Sequence, residues 1–188
     1  MNRVARDQPA PAVLSGLTAS FETIAPSLAL AALAFVPMIG EALYSARNER
    51  RLRQQGAVEP ADDVFAAMRL IYPSCFAAMI VEHWVRQPQA DAVTVAGAMV
   101  FGAAKALKYW AIVSLGPRWS FRVLVPPRSD LVTTGPYRFM RHPNYLGVLG
   151  ELAGMALLAQ APLSGVAALL VFAALLRARI RVEERALG

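Results

Sequence analysis

Cysteine is almost missing from this chain: Cys75 stands alone inside an apolar run, which excludes an internal disulfide and a thiolate metal cluster. A small buried hydrophobe is the role that position suggests. Acid is scarce beside base, with 13 Asp and Glu against 19 Lys and Arg, a net charge of +6 and a pI near 10.1. No Gly-x-Gly-x-x-Gly run and no βαβ pattern occur, so a soluble-type nucleotide fold is excluded. The opening stretch, MNRVARDQPAPAVLSG, holds two arginines but no compact apolar core followed by a small-residue cleavage site, so a removed signal peptide is not expected. Internal repeats and low-complexity tracts are absent as well.

What the chain has in quantity is oil. Hydrophobic residues make up 56% of it and the mean hydropathy is +0.41, where soluble domains sit at about 45–50% apolar. The basic residues gather at the ends of the apolar runs, a pattern of membrane anchoring rather than of a nucleic-acid footprint, so no nucleic-acid partner is expected. Crossing a bilayer as a helix takes roughly 20 apolar residues. Residues 24–44, 64–85 and 93–115 meet that, and the shorter runs 145–159 and 165–176 read as a tight helical hairpin turning at Pro162 and Ser164. The expectation is one all-α membrane domain over residues 1–188 with about five spans. Within it lie an N-terminal extracytoplasmic segment (1–23), three spans (24–115), and a motif, hairpin and tail (116–188).

Charge sets the expected orientation. Arg47, Arg50, Arg51 and Arg53 follow the first span; Arg118, Arg122, Arg128, Arg138 and Arg141 follow the third; Arg177, Arg179, Arg181 and Arg185 follow the fifth. The opposite side holds only Arg3, Arg6 and Arg86. The richer side is assigned to the cytoplasm, with the N-terminus outside and the C-terminus inside. Lys105 and Lys108, close to the end of the third span, are expected to snorkel to headgroups. Arg69 and Glu41 lie within spans with their partners open. His83 is expected to be structural, and Trp84, Trp110 and Trp119 to sit in interfacial belts.

One stretch concentrates polar chemistry: GPYRFMRHPNYLG, residues 135–147. Pro143 suits a first helical position, where its missing N–H costs nothing. His142 then stands at a helix mouth beside unpaired backbone N–H groups, and Arg138 and Arg141 are spaced to share a face, a setting for a carboxylate or phosphate. Gly147, Gly150 and Gly154 form a small-residue seam that admits a neighbouring helix or a flat ligand. The plainer reading is a headgroup-binding arginine cluster with packing glycines. In the tail, RIRVEE places Arg179 and Glu183 four apart with Glu184 adjacent: an ordinary ion pair, or a site for a ligand carrying both an ammonium or sulfonium and a carboxylate.

Together, GPYRFMRHPNYLG and the later RIRVEE resemble the isoprenylcysteine carboxyl methyltransferase family of integral-membrane enzymes. The resemblance covers residues 115–187, through LGPRWSFRV, LVTTGPYRFMRHPNYLG and the tail. Upstream, SARNERRLRQQGAVE, EHW and KALKYWAIVSLGPRWSFRV are similar to a bacterial branch linked to O-methylation of alkylpyrones and phenolic lipids beside polyketide synthases. The resemblance implies a helical membrane bundle in a bacterial inner membrane, with S-adenosyl-L-methionine bound at the cytoplasmic side. It also implies membrane lipids and a lipophilic acceptor as partners, and leaves the oligomeric state open. Carried over by position, Tyr137, Arg141, His142, Pro143, Tyr145 and Gly147 stand at the family's RHPxYxG motif, and Arg179, Glu183 and Glu184 at its C-terminal arginine and paired glutamates. Cofactor binding is expected from Tyr137, His142, Pro143, Tyr145, Gly147, Arg179, Glu183 and Glu184, and a catalytic part from Arg141, Arg179 and Glu183.

Eukaryotic members usually carry a bulky residue and an Asn downstream of the glycine. Here VLGELAGMALLAQAP supplies Glu151, which weighs against a prenylcysteine acceptor. Methyl transfer from a sulfonium needs an in-line oxygen nucleophile and no metal. A carboxylate or an acidic enol is already anionic and needs no strong base, whereas a phenol does, and His142 or Glu151 are the candidates. Two other readings compete. Membrane sterol reductases share a similar stretch but use NADPH and carry Asp, Cys and Lys-Tyr features in the tail, where this chain has VEERALG. An inactive lipid-binding protein is the other, although it has no need to keep the whole motif.

Overall fold

The computed structural model describes the backbone of residues 12–60, 64–125, 127 and 132–187, with side chains described from residue 24 to 185 within those bounds. Arg3, Arg6 and Arg128, and the side chains of the 1–23 segment, lie outside the described residues. Five helices follow one another: α1 (Ala12–Gln54), α2 (Phe65–Arg86), α3 (Ala92–Leu115), α4 (Pro143–Leu158) and α5 (Pro162–Leu187). They run alternately up and down. Four have the length and hydropathy to cross a membrane: Ile24–Gln54, Phe65–Arg86, Ala92–Arg118 and Pro162–Arg185. This is an integral membrane protein, a helical bundle as its composition implied.

The expected fourth span is short. At 16 residues, α4 is about 24 Å long, less than the roughly 30 Å of a hydrocarbon core. It manages by lying against α3 along its whole length. A Cβ on Gly154 would fall 2.4 Å from the backbone N of Phe101, one on Gly150 2.7 Å from Ala104 Cβ, and one on Gly147 2.9 Å from Lys108 Cβ. From the other side, a Cβ on Gly97 would strike the Leu158 backbone N at 2.2 Å. The glycine seam therefore receives a helix, not a ligand. Without a hydrophobic force between helices in lipid, this backbone approach is what holds the pair through dispersion contacts.

The last helix is longer than the apolar run suggested. Residues 177–185 continue α5 without a break, so the tail is helical and Arg179 and Glu183 share one of its faces. Its first N–H groups have no partner within the helix; Glu82 of α2 accepts from Leu163 N (3.2 Å) and Ser164 N (2.7 Å). At the same end His83 Nδ1 lies 2.9 Å from the Ala159 carbonyl. The Gln160 amide donates to Gln89 O (2.7 Å) and Thr94 Oγ1 (2.9 Å). Asp91 caps α3 through Val93 N and Thr94 N at 2.8 and 3.1 Å. These bonds lock the α2–α3 and α4–α5 turns together far from the polar motif, and His83 is structural as expected.

Large apolar side chains such as Val36, Leu43, Leu70, Val113, Leu163 and Leu170 face outward, as they do when lipid is the solvent. The inner cluster is built from Leu30, Ala34, Phe76, Met79, Phe101, Leu152, Met155 and Phe172. Cys75 belongs to it as a free, buried thiol. Trp84 and Trp110 are exposed, but Trp119 is not an interfacial anchor: it is buried, stacked 5.8 Å from Tyr44 and packed edge-on to Phe121.

Candidate active site in the polar end of the bundle

At the end where α1, α3 and α5 finish and α2 and α4 begin lies a cavity of about 1010 Å³, at the upper end of the size range of small-molecule sites. Its walls come from α1 (Met38, Ala42), α2 (Met68, Arg69, Tyr72), the 115–125 connection, and the start of α4 and end of α5. The sequence pointed to the last two helices alone; the α1 and α2 wall is the part it missed.

The floor is set by the motif. Gly135 has φ +60°, and a Cβ there would lie 2.0 Å from Ser114 Oγ, so only glycine fits the turn that opens it. A 3₁₀ turn over Gly135–Arg138 follows, and Tyr137 lines the cavity with its hydroxyl pKa raised above its ordinary value by burial and by the Glu183 carboxylate. Pro143 is the first residue of α4 and His142 its N-cap, as expected. The His142 ring stacks on Tyr145, centroids 5.4 Å apart.

Opposite stands α5. Arg179 is buried; its Nε lies 3.3 Å from Glu183 Oε1 and 3.3 Å from Tyr145 Oη, and its Nη2 donates to the Phe121 carbonyl at 2.6 Å. The Tyr145 hydroxyl also donates to Glu183. Glu183 Oε2 lies 3.5 Å from His142 Nδ1, and Glu184 Oε1 4.0 Å from His142 Nε2. Tyr137, Arg141, His142, Tyr145, Arg179, Glu183 and Glu184 all line the one cavity. Arg141 is exposed at its rim, without an ion pair among the described residues. Pro143 and Gly147 are buried behind it, Gly147 against Lys108 and Ala104.

A strap over residues 116–125 closes one side. Asn48 Nδ2 donates to the Trp119 carbonyl (2.9 Å), Phe121 N donates to Ser45 Oγ (2.8 Å), and Val58 and Val125 exchange two backbone hydrogen bonds of 3.1 Å. Arg122 reaches Glu59 and, at 3.3 Å, Glu49. Partial burial pushes the Glu59 pKa up, but hydrogen bonds from Arg122 and Arg53 outweigh it and hold the carboxyl below its ordinary value. A depressed carboxylate pKa contributes stability above its unfolded pKa and loses it as pH falls through the folded one. Thermal stability in detergent should therefore fall on acidification below the ordinary carboxylate range, and Glu59→Gln should remove part of that fall; an unchanged acid profile would show the tie contributes nothing.

Deeper in the bundle, the two lysines do not snorkel. Lys108 is 2% exposed in its side chain and pairs with Glu41 and with Glu151 (3.3 Å), while Lys105 pairs with the same two carboxylates at 3.2 and 3.1 Å. The pairing wins because α1 and α4 present carboxylates at the level of the lysines. This also answers where Glu41 points. Among the described residues no cluster of three or more His, Cys, Asp or Glu could hold a metal ion.

The profile of the isoprenylcysteine carboxyl methyltransferase (ICMT) family matches residues 95–188. The chain belongs to this family. It is thus a membrane methyltransferase by membership. It is 32% identical over 158 residues to the uncharacterized protein YpbQ of Bacillus subtilis (strain 168), covering 84% of this chain and 94% of that one. It is 24% identical over 145 residues to an uncharacterized protein of Haemophilus influenzae, covering 77% and 84%. No solved structure matches. The matched residues cover most of α3, the strap, the motif, α4 and α5; the α1–α2 wall lies outside them.

Proposed function

We propose that this ICMT-family protein transfers a methyl group from S-adenosyl-L-methionine to an oxygen of a lipophilic acceptor, within the cavity at the polar end of the bundle. The observation that carries the reading is the convergence of two remote segments, His142, Asn144 and Tyr145 at the start of α4 and Arg179, Glu183 and Glu184 on α5, on one cavity. The residues suit the cofactor. His142 Nε2 and Asn144 Oδ1 are buried at the cavity without a hydrogen-bond partner among the described residues, and such atoms call for a ligand's polar groups. Glu183 and Glu184 suit the ammonium of its amino-acid end; His142 and Asn144 suit its carboxylate or ribose. When bound, the cofactor supplies an electrophilic methyl on a sulfonium.

The chain's own part is positioning. Arg179 fixes Tyr145, Glu183 and the strap at Phe121 at once, so a change there loosens three sides of the cavity. Pro143 and Gly147 act indirectly, one by starting α4 and the other by letting it approach α3. Arg141 at the rim offers a guanidinium to an anionic group of cofactor or acceptor. The apolar wall of Met38, Ala42, Met68 and Phe172 suits the hydrocarbon part of the acceptor. Calorimetry on the detergent-solubilised protein tests the cofactor: S-adenosylmethionine and S-adenosylhomocysteine should bind and NADPH should not. Binding of NADPH alone would point to reduction.

We also infer that the polar end faces the cytoplasm of a bacterial inner membrane. Arg47, Arg50, Arg51, Arg53, Arg118, Arg122, Arg138, Arg141, Arg177, Arg179, Arg181 and Arg185 lie on connections or helix ends at that side, against Arg86 at the other. In a Cys75→Ser background on intact cells, an impermeant maleimide should label Gln89→Cys and leave Gln54→Cys unlabelled; the reverse pattern would invert the topology.

A further inference from the structure

At a wall of the same cavity, four helices bring five polar groups together, Lys105, Lys108 and Glu151 inside the residues matched by the family profile and Glu41 and Tyr72 outside them. Tyr72 on α2 lines the cavity and its hydroxyl donates to Glu151 on α4. Glu151 Oε2 is 3.3 Å from Lys108 Nζ, and Lys108 also lines the cavity, with its Nζ 5.4 Å from the Tyr72 ring centre. Glu41 on α1 and Lys105 on α3 complete a square in which each lysine meets both carboxylates. Glu151 is 1% exposed and Lys108 2%. Burying four charges in an apolar bundle is costly, and it adds little stability over a well-packed apolar core. A group so placed at a cavity wall points to chemistry.

We propose that Tyr72 and Glu151 form the proton acceptor for the methyl-transfer step, and hence that the acceptor oxygen arrives as a neutral hydroxyl, such as a phenol, rather than as an anion. The proposal rests on the methyltransferase reading above. The step balances as follows. The acceptor oxygen forms a bond to the methyl carbon while the carbon–sulfur bond of the sulfonium donor breaks, its electron pair staying on sulfur. The acceptor's O–H proton passes to Tyr72 Oη, whose own proton passes to Glu151 Oε2. The sulfonium loses one positive charge and the square, formally neutral with two lysines and two glutamates, gains one, so the buried site keeps its net charge. Lys108 faces the oxygen on which negative charge grows. A carboxylate acceptor carries no proton near neutral pH and leaves this device without use.

Around the Tyr72 hydroxyl, α1 contributes Glu41, α2 Arg69 and Cys75, α3 Lys105, Lys108 and Tyr109, α4 Glu151, and α5 places Phe172 against the Tyr72 ring. Of the two residues that the sequence offered as a base, Glu151 works through Tyr72 and does not itself line the cavity.

The test uses the full chain in detergent and a nitrophenol carrying an alkyl chain, whose visible absorption reports ionisation without turnover. Bound to the wild-type protein, the probe should show at least about tenfold more phenolate at a given pH than in empty micelles, a shift of about one pKa unit. Tyr72→Phe keeps the ring that packs on Phe76 and Phe172. It should abolish that gain and slow methyl transfer to a phenolic lipid by about 10²–10⁴-fold, with S-adenosylhomocysteine affinity unchanged. Glu151→Gln, which keeps the Tyr72 hydroxyl, should do the same. Unaltered probe ionisation and turnover in Tyr72→Phe overturn the proposal, as does methylation of long-chain carboxylates with none of phenols. Failure of the wild-type protein to bind S-adenosylhomocysteine is a separate result, and it overturns the methyltransferase reading beneath it.

Discussion

Arg179→Ala should lower S-adenosylhomocysteine affinity by roughly two orders of magnitude or more. Removing one partner of a buried, hydrogen-bonded charge group costs about 2–5 kcal/mol, and each 1.4 kcal/mol is about tenfold. The reason lies in its contacts: Glu183 and Tyr145 at 3.3 Å and the Phe121 carbonyl at 2.6 Å lose their common donor together. Arg179→Lys keeps the charge but not the planar fork, and should recover only part of the binding. Glu183→Gln keeps the shape and removes the charge, so it should weaken binding of the cofactor's ammonium end while leaving the protein folded. Calorimetry with S-adenosylhomocysteine reads all three. Wild-type affinity in Arg179→Ala and Glu183→Gln would remove α5 from the cofactor site.

Gly154→Val should be among the most damaging single changes to the fold. A Cβ at that position lies 2.4 Å from Phe101 N and 2.6 Å from Phe101 Cα, both backbone atoms that cannot swing aside. Overpacking a core costs about 1–3 kcal/mol when side chains can yield; here α3 and α4 must separate, so the loss should reach or pass the upper end of that range. Gly102→Ala on α3 is the control, since a Cβ there meets nothing within 4 Å. It should be neutral or stabilising by up to about 1 kcal/mol. Thermal unfolding in detergent, followed by fluorescence-detected size exclusion, separates the two, and equal stability of both variants would contradict the glycine-seam packing.

How far the sequence could be read depended on the range of the interactions. Three spans and the α4–α5 turn follow from local hydropathy and from Pro162, and Pro143 marked the start of α4 because its ring suits a first turn. The i,i+4 spacing of Arg179 and Glu183 is local too, and it holds because α5 continues through the tail. What local pattern could not supply was depth and partnership. Lys105 and Lys108 looked like interfacial anchors because their partners, Glu41 and Glu151, come from helices 64 and 43 residues away. Trp119 looked like a belt residue because nothing nearby in sequence announces Tyr44. The short α4 reads as a span because residues 145–159 are apolar, and its glycines are by local pattern equally consistent with a neighbouring helix or a flat ligand. The signal that could have found the charge square was its stoichiometry: two glutamates and two lysines stranded in apolar runs, with no reason to be there singly.

The most direct measurement is transfer of a radiolabelled methyl group from S-adenosylmethionine into the organic-extractable fraction of membranes containing the protein. The account predicts label in a lipophilic product, absent in Arg179→Ala and in membranes lacking the protein. Membranes that bind the cofactor yet pass no label to any lipid, or that consume NADPH instead, would contradict it.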